Sequence, residues 1–100
     1  MSLDTLLQQA RALESIQFDQ VMAVIADNYQ YTPTTFSNGL LPHQVVNPAG
    51  QNEGSCRLLA FAQLHQLDQQ QTLNLFGDFY HVEVLGEPGG HSHGNIRAFM

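Results

Sequence analysis

The stretch Asn47-Pro48-Ala49-Gly50-Gln51-Asn52-Glu53-Gly54-Ser55-Cys56-Arg57-Leu58-Leu59-Ala60-Phe61-Ala62 constrains the chain most. It passes from residues that turn the backbone straight into a dense run of small and large apolar side chains. Ser55 is suited to cap a helix, and Leu58, Leu59, Phe61, Ala62, Leu64 and Leu67 cover more than one helical side. The expectation is a helix over about Cys56 to Leu67 that forms the interior of the fold, with Ala60 and Ala62 letting neighbours approach.

The other segments supply what that helix packs against. Ser2 can cap a helix in which Leu3, Leu6, Leu7, Ala10 and Leu13 repeat at spacings of three and four, ending near Glu14. The same spacing in Phe18, Val21, Met22, Ile25 and Tyr29 predicts a second helix over about Phe18 to Asn28, and the two read as a hairpin. Thr72 is placed to cap a fourth helix over about Leu73 to Leu85. Gly77 inside it costs about 1 kcal/mol relative to Ala, which points to a close contact there. Val82-Glu83-Val84 alternates, so a strand competes at that end, and Gln69-Gln70-Gln71 reads as a connector.

Pro33 ends the helical pattern of the amino-terminal half. Thr35-Phe36-Ser37 then has strand character and Asn38-Gly39 turn character. Leu40 to Gly54 reads as a long loop, and loops of that length in small domains are functional or packed down by their own side chains. Asn95-Ile96-Arg97-Ala98-Phe99-Met100 alternates apolar and polar residues after Gly94, which predicts a strand. The fold class expected is therefore α+β and mainly helical, with about four helices and a two-stranded antiparallel ribbon pairing 35–37 with 95–100. With 100 residues, no internal repeat and no linker, a single domain over 1–100 is expected.

Charge narrows the function. Three Arg, no Lys and nine Asp plus Glu give a formal charge of −6, which disfavours nucleic acid and anionic membrane surfaces, because both reward clustered cations. Without lysine, the glycines at 50 and 54 do not form a phosphate loop. A single cysteine forms no internal disulfide, which is compatible with a reducing cytosol. No apolar run reaches the length of a membrane span and the amino terminus lacks the pattern of a secretory signal, so a soluble protein kept in the bacterial cytoplasm is expected, unless an unconventional route such as type III secretion, whose address has no sharp sequence pattern, exports it.

Chemistry has few candidates. Cys56, one residue after the expected cap, sits where free amides and the helix dipole favour a thiolate, so it is the candidate nucleophile. His93 (or His91) would be its base and Asn95 the orienting amide, in the order Cys, His, Asn. Against this stands a small buried cysteine in the core. His91-Ser92-His93 with His81 or His43 falls short of a compact ligand set, so no metal and no cofactor are expected. Asn38, Asn52 and Arg97 are candidate binding residues, although asparagines at turns commonly bond the main chain. Arg97 is expected to pair with Glu53, Asp78 or Glu83, or else to hold an anionic ligand.

Several ordered motifs nevertheless carry a likeness. Tyr31-Thr32-Pro33-Thr34 with Phe36-Ser37-Asn38-Gly39, then Ala49-Gly50-Gln51-Asn52-Glu53-Gly54-Ser55-Cys56, Thr72-Leu73 with Phe76-Gly77, and His93-Gly94-Asn95-Ile96-Arg97-Ala98-Phe99-Met100 resemble the HopJ type III effector family over nearly the whole chain. The resemblance implies a protein associated with type III secretion in plant-pathogenic bacteria, and it carries over no catalytic activity and no cofactor. It also places His81 where many relatives carry a basic residue such as Arg, and Ser92 where an acidic residue often precedes the histidine. The leading expectation is a small effector-like protein that binds a host or bacterial protein. The alternative is a thiol hydrolase or transferase using Cys56.

Overall fold

Ser2 opens the first helix as the sequence predicts: its Oγ accepts the Thr5 amide at 3.1 Å. The computed structural model describes residues 1–30, 35–38, 44–47, 49–90 and 92–100. Helix α1 (Leu3–Arg11) carries Asp4 in its first turn and Arg11 in its last, complementing the helix dipole. It buries Leu6, Leu7 and Ala10, and stops before Glu14 because Leu13 turns to a left-handed φ of 56°. Helix α2 (Phe18–Asn28) has the predicted bounds. The Gln20 Oε1 accepts the Gln17 amide at 3.0 Å at its start, and Val21, Val24 and Ile25 face inward.

Helix α3 (Glu53–Leu64) packs against α2. It buries Cys56, Leu58, Phe61 and Ala62, while Leu64 is 64% exposed. Its start corrects the prediction: Asn52, not Ser55, precedes the first turn, in left-handed conformation with φ 51°. Asparagine is among the few non-glycine residues that tolerate that geometry. The Cys56 amide consequently donates to the Asn52 carbonyl at 3.0 Å. The thiol thus lies a full turn inside, past the free amides that would have favoured a thiolate.

The expected helix over Leu73 to Leu85 is two pieces. Asp68 and Gln71 form a capping box, with the Gln71 amide donating to Asp68 Oδ1 at 2.8 Å and the Asp68 amide to Gln71 Oε1 at 2.9 Å. Helix α4 therefore spans Gln69–Asn74, and Thr72 sits within it, donating its hydroxyl to the Asp68 carbonyl. Gly77, with φ +60°, breaks the path, and a Cβ there would lie 2.9 Å from the Ile16 carbonyl oxygen. The close contact foreseen at Gly77 is thus with main chain. A π-helix (Phe79–Val84) follows, burying Tyr80 and Val84 and taking in the Val82-Glu83-Val84 segment.

The two-stranded antiparallel ribbon exists, with a different partner from the one expected. Strand β1 (Phe36–Asn38) pairs with β2 (Val45–Asn47), with Phe36 opposite Asn47, Ser37 opposite Val46 and Asn38 opposite Val45. Residues 95–100 do not pair with 35–37. They belong to helix α5 (Gly94–Phe99), which closes through the Arg97 amide on the His93 carbonyl and the Met100 amide on that of Ile96, both 3.1 Å. The end of the chain still reaches the ribbon, because α5 packs on β1, β2 and the π-helix. The described residues thus form an α+β fold of six helices and one small sheet. Leu6, Ile16, Val21, Leu58, Leu75, Phe76 and Val84 occupy its core. Among these residues, no helix is long and apolar enough to cross a membrane.

Candidate functional site

Three asparagines meet where β2 ends and where α3 and α5 begin. Asn47, 2% exposed, donates its Nδ2 to Asn95 Oδ1 at 2.8 Å, and Asn95 returns its own Nδ2 to Asn47 Oδ1 at 3.0 Å. Asn52 adds a third bond, donating to the same Asn47 oxygen at 2.6 Å. Two of these residues, Asn52 and Asn95, are candidates from the sequence. Asn47 carried no signal beyond its place at a turn, because nothing local marks a side chain whose partner comes from the far end of the chain.

His93 stands beside them in left-handed conformation, φ 53°, just before α5. Its Nε2 lies 3.0 Å from Glu83 Oε1, and its ring centroid is 5.1 Å from that of Phe79. Arg97, in the last turn of α5, spends its guanidinium on main chain: Nε donates to the Ser92 carbonyl at 2.5 Å and Nη1 to the Glu87 carbonyl at 2.9 Å. Among the described residues it makes no ion pair with Glu53, Asp78 or Glu83, which corrects the pairing foreseen. Its five-donor fork suits this binding of successive carbonyls, and it holds the loop that presents His93. Glu53 pairs with Arg57 at 3.8 Å instead.

Asn52, Ser55, His93 and Asn95 line one cleft of about 260 Å³, floored by Phe18 and Phe79. Phe18 reaches it because Gly54 has no side chain, and a Cβ there would stand 2.8 Å from the ring. Cys56 lines a different cavity of about 490 Å³, with Phe36, Leu59 and Phe99, and is 6% exposed. Among the described residues its sulfur has no hydrogen bond to a histidine. The structure therefore brings His93, Asn95 and Asn52 together and sets Cys56 on another cavity. Asn38 lies at the end of β1 opposite Val45.

The remaining histidines that can be described have other partners. His81 Nε2 bonds Asn74 Oδ1 at 2.8 Å, and Asn74 in turn donates to the Glu14 carbonyl at 2.7 Å. His65 Nε2 meets the Tyr29 hydroxyl at 2.5 Å, joining the end of α2 to that of α3. His43 and His91, named as candidates above, lie outside the described residues. Among those described, no three His, Cys, Asp or Glu side chains gather as a metal would require.

Two of the motif segments quoted above, Asn52 to Ser55 and His93 to Asn95, thus meet at one cleft. The family model described as HopJ type III effector protein matches residues 3–100. The chain belongs to the HopJ family. A solved crystal structure of a protein of unknown function, VPA0580, is similar at 44% sequence identity, with a TM-score of 0.91, over 100% of this chain and 81% of that one. No curated protein matches. In this HopJ-family chain, sequence reasoning missed Asn47 and the aromatic pair Phe18 and Phe79, and offered Glu83 to Arg97 where the structure gives it to His93. Phe18 was legible only as a helix-face residue, and Phe79 only as part of an apolar run.

Proposed function

We propose that this HopJ-family protein acts as an effector-like, single-domain interaction protein, made in the bacterial cytoplasm, exported by a type III route and working by binding another protein. The observation that carries the reading is how the polar groups around the cleft are spent. Asn47, Asn52 and Asn95 bond one another, Arg97 binds carbonyls, and His93 meets Glu83. Phe79, which lines the cleft, is 38% exposed, and along the same π-helix and at its end Val82 is 61% and Leu85 46% exposed. Groups locked in mutual hydrogen bonds hold a surface in shape, and exposed aromatic and aliphatic side chains beside them are what a protein interface uses.

Affinity capture from bacterial and plant lysates, quantified by mass spectrometry against a Val82→Ser, Leu85→Ser variant, tests this. The expected result is a recurring protein depleted by the double substitution. No recurring protein, or one indifferent to it, sinks the reading.

A second reading keeps Cys56 as nucleophile, His93 as base and Asn95 as the orienting amide, and one observation favours it: Cys56 borders a cavity large enough for a small ligand. It requires the sulfur and the His93 ring to approach across α3. An acyl or alkyl probe that labels Cys56 in the wild type and fails to do so in His93→Ala would support it.

A further inference from the structure

Beside the cleft that holds His93, a second hollow of about 360 Å³ opens between the start of α2 and the start of the π-helix, lined by Gln17, Phe18, Asp19, Phe76, Asp78 and Phe79. Its floor is aromatic. The Phe18 ring stacks on Phe76 at 6.2 Å and meets Phe79 edge-on at 5.3 Å. Phe76 is 1% exposed, whereas Phe79 is open to solvent. The hollow is preformed, because Gly77 brings the chain against the backbone of residues 16–18, where a Cβ would meet the Ile16 carbonyl at 2.9 Å and the Phe18 amide nitrogen at 3.0 Å.

Its rim is negative. Asp78 makes no capping bond although it directly precedes the π-helix. Among the described residues Asp19 accepts the neighbouring Gln20 amide alone, at 3.0 Å. Among the described residues neither carboxylate has an ion-pair partner. The chain has little to offer them: it contains no lysine, and of its three arginines Arg57 is paired with Glu53, Arg97 is engaged with main chain, and Arg11, in the last turn of α1, makes no ion pair with either aspartate among the described residues.

We infer that this hollow receives an arginine side chain from a segment of the partner protein. The inference rests on the interaction reading above and specifies what that partner brings. Aromatic faces carry negative electrostatic potential, and a guanidinium lies flat on them while its edge donates to carboxylates. Anions are repelled by the two aspartates, and a neutral apolar side chain would desolvate both carboxylates with nothing to compensate them. A metal ion would find two carboxylates and no third ligand among the described residues.

The test uses the full chain and two capped tripeptides, acetyl-Gly-Arg-Gly-amide and its citrulline counterpart, which keeps the shape and removes the charge. Each is titrated by amide NMR. The arginine peptide is expected to shift resonances of residues 17–20 and 77–80, with an affinity at least about threefold above that of the citrulline peptide. Asp19→Asn with Asp78→Asn should erase that preference while leaving the rest of the spectrum in place, and Phe79→Leu should weaken binding with both carboxylates kept. Equal binding of the two peptides, shifts confined to other residues, or an unchanged preference in the double variant overturns the inference. A recurring lysate partner that binds the double aspartate variant undiminished would refute the arginine pocket and leave the interaction reading standing. Arginine selectivity without any recurring partner would do the reverse.

Discussion

Asn47 and Asn95, 48 positions apart, exchange two amide hydrogen bonds of 2.8 and 3.0 Å in a buried setting. The pair joins the ribbon to the last helix, and Asn52 extends the joint to the start of α3.

Asn95→Ala should destabilise the fold by about 2 kcal/mol, because it leaves the buried Asn47 Nδ2 without its acceptor while Asn52 still donates to the Asn47 oxygen. Urea denaturation measures the loss. The double variant Asn47→Ala, Asn95→Ala should lose less than the sum of the single changes, since the second removes a group already orphaned by the first. Strict additivity would show that the two amides are not coupled.

Gly77→Ala should cost about 2 kcal/mol or more, combining a left-handed backbone with a Cβ set against the Ile16 carbonyl. Gly89→Ala, where a Cβ meets nothing within 4 Å, serves as the control and should change stability little. Comparable melting temperatures for the two variants would contradict the close approach.

Cys56, 6% exposed, should react with iodoacetamide at least about tenfold more slowly in the native protein than in urea. Mass spectrometry of timed aliquots gives both rates. Equal rates would mean that the sulfur is open to solvent.

Arg97→Lys keeps the charge and loses the fork. A single ammonium cannot reproduce the bonds to the carbonyls of both Glu87 and Ser92. Hydrogen exchange at the Gly90 amide, which donates to the Glu87 carbonyl at 2.9 Å, should quicken while global stability falls by about 1 kcal/mol. Unchanged exchange would remove Arg97 as the strut of this loop.

The first two helices were legible because their signals are local. Ser2 caps α1, and the spacing of Phe18, Val21 and Ile25 marks α2 to the residue. Later signals misled where two residues competed for one task. Asp68 displaced Thr72 as cap because Gln71 completes its capping box, and Asn52 displaced Ser55 by adopting a left-handed turn. The six residues of α5 are too few for a helical period to stand out from an alternating one. Strand β2 lay inside what read as loop, since three residues beside Pro48 carry little strand pattern. At the site, Asn52, His93 and Asn95 were named for their chemistry. What bound them together was invisible, because Asn47 and Glu83 become partners only through tertiary folding.

Asn95 leaves the ribosome after every residue it fastens. The α1 and α2 hairpin can dock onto α3 while synthesis continues, but Asn47 must remain hydrated, and the ribbon loosely seated, until α5 emerges to meet it.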